Sequence, residues 1–276
     1  MRSVPTFAAV LLAAASVPAA AQTMAGDPPA ASAAEPALCT DRPTRSNSVC
    51  TVPEGKLQIE TDLPNWTRND DAGTRTDVIL YANPYVKYGL GPNTDVEVNW
   101  APYETVRVRG GGSVDKLSGV GDVYVRLKQR FTDPSAKLQV GIIPFVKAPT
   151  ARRGIGNREW EGGVALPVQY TLPHGFTLTT SPEVDVLADS TKANDRHVQF
   201  IDTANVGKAL TSTVTAYAEL WTAQNFDPAG TIHQYSADVA VAWLVQPKLQ
   251  LDAGGNFGLN RQTPDAQVYL GVSTRF

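Results

Sequence analysis

The sequence predicts an all-β protein, an antiparallel up-and-down transmembrane barrel of about twelve strands. Three observations predict it. From Lys56 onward, segments of about ten residues alternate apolar and polar side chains. Short turns between them alternate with longer loops, and the aromatic residues of the apolar face gather at the segment ends in two groups.

What precedes the barrel reads differently. Arg2, the apolar run "FAAVLLAAA" and the small residues Ala19 to Ala21 form a cleavable export signal over residues 1–21. That run is too short to span a membrane as a helix. Residues 22–38 are rich in Ala and Pro, bury nothing, and read as a disordered tether. Residues 39–276 are left for the barrel and its opening segment. Cys39 and Cys50, close together in an exported chain, are expected to form a disulfide. Metal binding is the weaker expectation for two cysteines without a nearby histidine.

The strands follow in order. "KLQIETDL" sets Leu57, Ile59 and Leu63 against Gln58, Glu60 and Asp62. "DVILYANPYVKY" comes second and carries Tyr81, assigned to the polar face. "DVEVNWAPY" opposes Val96, Val98 and Trp100 to Asp95, Glu97 and Asn99. The fourth, "GDVYVRLKQRF", has the cleanest alternation, with Asp122, Tyr124, Arg126, Lys128 and Arg130 on the polar face. Lys147 and Phe145 follow on "KLQVGIIPFVK", Glu161 on "WEGGVALPVQY", and Glu183 and Asp185 on "FTLTTSPEVDVL". "HVQFIDTANVGK" is the eighth; its phase turns Asp202 outward, which predicts a bulge or a shifted register there. Tyr217, Glu219 and Trp221 belong to the ninth strand, Asp238 to the tenth and Asp252 to the eleventh. The last, "AQVYLGVSTRF", puts Tyr269 and Arg275 on the polar face and ends on Phe276. Pro84, Pro144 and Pro167 each remove a ladder donor and weaken their strands.

Connections "GLGPNT", "TDPS", "LPHG", "ALTS" and "QPK" are short. "NWTRNDDAGTR", "ETVRVRGGGSVDKLS", "PTARRGIGNR", "ADSTKANDR" and "AQNFDPAGTI" read as longer loops. Outer-membrane barrels show this asymmetry, with short periplasmic turns and longer extracellular loops. An open edge at the last strand would fray, so its alternation up to Phe276 implies pairing on both sides.

The aromatic residues decide which face meets lipid. Tyr88, Phe131, Tyr170, Phe176, Trp243 and Phe276 lie beside short turns; Trp100, Trp160, Tyr235 and Phe257 lie beside long loops. Such belts frame a lipid-facing band. The opposite face carries too many charges for a dry core, because buried ions cost several kcal/mol each, to order of magnitude, unless paired or wet. Apolar side chains outward and ions inward avoid that cost. A secreted soluble sandwich leaves the belts unexplained.

Net charge near −3 excludes the basic face that nucleic acid requires. No phosphate loop, zinc pattern or cofactor motif is present; "RGGGS" reads as loop flexibility. An outer-membrane lipid hydrolase would need serine and histidine together on the lipid-facing surface. His174, His197 and His233 are the available histidines and only Ser236 neighbours one, so catalysis is not expected.

The stretches "TDRPTRSNSVCTVPEGKLQIETD", "GVGDVYVRLKQRF" and "LQLDAGGNFGLNRQTPDAQVYLGVSTRF" resemble the bacterial transporter-like family named for the meta-pathway of phenol degradation, over Thr40 to Phe276. Two departures are the cysteine pair and Ala151, where a glycine is usual. The resemblance implies an outer-membrane channel or transporter of a Gram-negative cell, with aromatic solutes implied only by the family name. It also implies that the strand ending at Phe276 is read by the barrel-insertion machinery. Two readings of the lumen stay open: inward charges and rings that contact small solutes, or ion-pair struts that fill the interior of a structural or surface-binding barrel.

Overall fold

The computed structural model describes residues 36–192 and 194–276. Seventeen β segments assemble into twelve barrel strands, five of them interrupted once. β1 is Leu57–Asp71; β2 is Thr74–Ala82 with Tyr85–Gly91; β3 is Thr94–Asn99 with Tyr103–Gly110; β4 is Ser113–Gly119 with Val123–Arg130. β5 is Leu138–Ala148; β6 is Glu161–Ala165 with Val168–Leu172; β7 is Phe176–Thr180 with Glu183–Ala188. β8 is Arg196–Ala209, β9 Val214–Asn225, β10 Ile232–Gln246, β11 Leu249–Gly258 and β12 Ala266–Arg275. Four of the interruptions hold a proline, Pro84, Pro102, Pro167 or Pro182, which has no N–H to give to the ladder. Pro144 is carried inside β5 on the exposed face.

Each strand pairs antiparallel with its neighbours in sequence, and β12 pairs with β1 from Gln58 opposite Arg275 to Arg68 opposite Ala266. The Phe276 amide donates to the Leu57 carbonyl at 2.8 Å, so the last residue completes the seam. Closure removes the free edge. Among the described residues no helix is long and apolar enough to cross a membrane.

The exterior is apolar. Val125, Leu127, Val184, Val206, Leu220, Val239, Val241 and Leu270 are exposed along it. All six aromatics predicted beside the short turns are exposed, as are Trp160, Tyr235 and Phe257 at the other end; Trp100 is half-buried. Inside, buried side chains are mostly polar or charged.

Three expectations are corrected. The connections expected as the first two long loops are tight turns, at Ala72-Gly73 and Gly111-Gly112, because the flanking strands continue past the membrane band. Gly73, Gly111 and Gly112 have positive φ, which suits such turns. Second, β8 has no bulge at Asp202: its register with β9 runs unbroken, and the carboxylate is exposed on the outer face, accepting from the Thr180 hydroxyl at 2.8 Å. Third, the tether expected to be disordered over residues 22–38 is ordered at its end, where the Arg275 guanidinium donates to the carbonyls of Pro36 and Ala37. The export signal and the rest of the tether lie outside the described residues.

Candidate functional site: a charged lumen threaded by the N-terminal segment

The segment from Pro36 to Pro53 runs inside the cylinder, and its bonds reach inward-facing side chains around the wall. The Cys39–Cys50 disulfide closes it into a loop, with Cα atoms 6.3 Å apart. Two clusters of charge hold it.

The first is built on Asp41. Its carboxylate receives the Lys87 ammonium and, at 2.7 Å, that of Lys128. The Ser48 amide and hydroxyl donate to it at 2.8 Å each. Lys87 also meets Glu60 at 2.7 Å and Glu97 at 3.6 Å, while Lys128 meets Glu97 at 3.1 Å. Strand register explains the sign pattern, because Lys87, Glu97 and Arg126 sit directly opposite one another across β2, β3 and β4. Burial works against the Asp41 charge, yet Lys128 and Lys87 hold its carboxyl well below the usual carboxylate range.

The second cluster is a socket for Arg42. Asp62 on β1, Gly271 on β12 and Asp252 on β11 stand opposite one another across the closing seam. The guanidinium bonds Asp62 and reaches Asp252 at 2.7 and 3.2 Å. Burial disfavours its charge, but Asp62 and Asp252 keep it more firmly protonated than a free arginine. Gly271 leaves the space, since a Cβ there would sit 2.1 Å from Nη2. Gly271→Val is therefore expected to expel Arg42 and loosen the segment. Limited trypsinolysis followed by mass spectrometry should then show cleavage after Arg45, and unchanged protection would refute the socket.

Beyond Arg42, the amides of Arg45 and Ser46 donate to Glu219 at 2.9 and 3.0 Å. The Arg45 guanidinium lies over the Trp221 ring at 4.2 Å and faces Asp238 at 3.5 Å. The Val52 amide donates to Asp95 at 2.7 Å, and the Tyr269 hydroxyl to the Pro43 carbonyl at 2.6 Å.

Space remains beside the segment. A cavity of about 540 Å³ opens towards the long loops and is lined by Tyr85, Tyr124, Arg126, Phe145, Glu183 and Asp185 among others. Arg126 lies 5.1 Å from the Phe145 ring, 5.5 Å from Tyr85 and 5.8 Å from Tyr124, and has no ion pair among the described residues. On the same wall Lys147 binds Glu161 at 2.6 Å and faces Asp122 at 3.4 Å. A second cavity, about 300 Å³, shares Tyr85, Arg126 and Glu183 with the first. A third, about 320 Å³ and towards the short turns, includes Tyr217 and shares Asp41, Arg42 and Ser46 with the second.

Of the side chains expected to face inward, Tyr81 departs. It is 48% exposed and packs at a tilt against exposed Tyr103, with ring centres 5.4 Å apart. A register shift between Leu80 and Ala82, just before Pro84, resets the alternation there. Arg130 is buried but belongs to the short-turn end, where it donates to Pro92 and Asn93. The others are buried or half-buried.

Sequence reasoning missed Lys87, although Tyr85 and Lys87 alternate with Val86 and Tyr88. It also missed Asp41, Arg42 and Arg45, whose segment carries no periodicity to give their position away.

His197 and Ser236 are buried and inward, and His233 is exposed beside Gln224. Among the described residues no three His, Cys, Asp or Glu side chains are placed to hold a metal ion.

A closed twelve-stranded antiparallel cylinder, apolar and aromatic-belted outside and charged within, is a β-barrel of the bacterial outer-membrane class. The chain belongs to the family described as "Putative MetA-pathway of phenol degradation", whose profile matches residues 40–276. An outer-membrane channel from Pseudomonas putida F1 shares 14% identity, over 85% of this chain and all 100% of its own, with a TM-score of 0.67. The NanC porin shares 9% over 79% of this chain and 98% of its own, with a TM-score of 0.52. The translocator domain of the autotransporter NalP from Neisseria meningitidis shares 12% over 83% and 91%, with a TM-score of 0.51. At these identities the likeness is one of fold. A search of curated proteins gave no significant match.

Proposed function

We propose that the chain is an outer-membrane channel for small polar or aromatic solutes, delivered by the export signal at residues 1–21 and inserted through the strand ending at Phe276. One observation carries the reading. The three cavities adjoin in succession, the first two through Tyr85, Arg126 and Glu183 of the wall and the last two through Asp41, Arg42 and Ser46 of the segment. Polar space therefore flanks the segment from the long-loop end to the short-turn end. Solutes meet Arg126 and its three rings first, with Asp185 in the same register row three strands along the wall and Glu183 on the same strand as Asp185. They then pass the segment between Asp41 and Ser46. Rings give flat solutes a stacking surface, and charges of both signs orient dipoles. Among the inward side chains predicted from the sequence, those lining these cavities are the proposed solute contacts.

The refolded full chain in a planar lipid bilayer is expected to give small, discrete conductance steps. Silence from the intact chain, together with steps from a variant lacking residues 36–53, would replace the channel with a barrel closed by its own segment. The number of bonds holding that segment favours this second reading. A lipid hydrolase is disfavoured, because Ser236 points into the lumen and is 1% exposed.

A further inference from the structure

Above the membrane band the outer face of β1 to β4 carries a grid of side chains set by register. Trp66, Ile79, Thr105 and Ser118 stand opposite one another across the four strands. One step further out the row is Arg68, Asp77, Arg107 and Lys116. The next is Asp70, Arg75, Arg109 and Val114. The alternate residues Leu80 and Glu104 line the upper cavity, so these rows face away from the lumen. The tilted ring pair Tyr81 and Tyr103 lies at the foot of the grid. Arg107 follows Tyr103 by about 13 Å along the strand, at roughly 3.3 Å per residue. That height suits headgroups above a tyrosine at the membrane boundary.

The grid holds five cations and two carboxylates. Like charges directly opposite destabilise a sheet pair. Arg75 and Arg109 are such a pair, and Asp77 resolves it: Arg75 meets this carboxylate at 2.9 Å, Arg109 binds its other oxygen, and Trp66 donates to it at 3.1 Å. Arg68 is matched by Asp70 at 2.5 Å. Arg107 and Lys116 are also opposite one another, both exposed, and neither has an ion-pair partner among the described residues. Asp77 stands beside Arg107 in the row, but its oxygens are bonded to Arg75, Arg109 and Trp66, and neither Arg107 nor Lys116 pairs with it.

We propose that this face binds the phosphates of the outer-leaflet glycolipid, with Arg107 and Lys116 clasping one phosphate group. The proposal rests on the outer-membrane reading and not on conduction. A phosphate offers several acceptor oxygens and a charge that can bridge two cations. Cations near an anionic lipid surface each add to binding. Hydrocarbon below the tyrosines and sugar-phosphate above them complete the fit.

The test titrates the detergent-solubilised full chain with bis-phosphorylated lipid A, followed by native mass spectrometry. The wild type should bind it, and the Arg107→Gln, Lys116→Gln double variant should bind roughly tenfold more weakly or worse. Lys192→Gln, an exposed loop cation outside the grid, should leave binding unchanged. Fully dephosphorylated lipid A should bind the wild type weakly, a comparison that needs no variant. Equal binding of the two lipids, or undiminished binding by a folded double variant, overturns the proposal. Displacement of lipid A by millimolar inorganic phosphate would also overturn it, by showing a site for the free ion. Conductance of the same preparations reports on the channel reading separately, since these side chains lie outside the lumen.

Discussion

Asp41→Asn is expected to free the lumen segment and raise single-channel conductance several-fold. Asp41 is the one carboxylate of the segment in contact with the wall lysines, and it receives both Lys87 and Lys128. An amide of nearly the same shape keeps the packing but removes the charge. Lys87 and Lys128 then have only Glu60 and Glu97, which belong to the wall and do nothing to hold the segment. Losing one member of a buried ion pair typically costs about 3–5 kcal/mol. Asp41 lines two of the cavities and its side chain is 15% exposed, so the lower end of that range applies. It is still enough to shift a segment between seated and released. Planar-bilayer recordings of the two proteins decide the matter, and identical step sizes would show that Asp41 does not hold the constriction.

The same carboxyl fixes the response to acid. Its folded pKa is depressed, so its contribution is complete above the unfolded value and is lost only as pH falls through the folded one. An ordinary aspartate begins to titrate at about pH 4–5. The segment should therefore stay seated through that region because this aspartate remains ionised, read as hydrogen-exchange protection of the Ser48 amide that donates to it. Loss of that protection at about pH 4–5 would refute the assignment.

The second large effect is expected at Lys87. Its side chain is 2% exposed and lies among Asp41, Glu60 and Glu97. Lys87→Met keeps the length of the side chain and deletes its charge. Asp41 and Glu97 then share Lys128 while Glu60 loses its one ion-pair partner among the described residues, and an uncompensated buried charge costs about 3–5 kcal/mol. Both the cylinder and the segment lose stability, in contrast to Asp41→Asn, where the loss falls on the segment. A lower urea midpoint for unfolding of the lipid-reconstituted barrel is the expected result. An unchanged midpoint would mean that water in the lumen already compensates the carboxylates.

Much of this was legible in the chain because a barrel wall between lipid and water has two unlike faces. Val123, Val125 and Leu127 against Tyr124, Arg126 and Lys128 could be read without a structure, and so could the closing strand. The reading failed wherever that contrast disappears. Above the membrane both faces of a strand are wet, so Arg68, Arg75 and Arg107 look like loop residues although their ladder is intact. Tyr81 was misplaced because the sheet resets its phase beside Pro84. Asp202 was read in the correct phase, and the bulge invoked to move it is not there. The N-terminal segment was opaque for another reason: its side chains follow no repeat, and their positions depend on partners some two hundred residues away, as for Arg42 and Asp252.

The Arg42 socket bears on the order in which the protein assembles. Its two carboxylates come from opposite ends of the polypeptide and meet only when the sheet curls shut. The guanidinium therefore cannot find both until the cylinder zips, and once zipped it rivets the join from within. Folding of this chain should thus end with threading and sealing as a single concerted event.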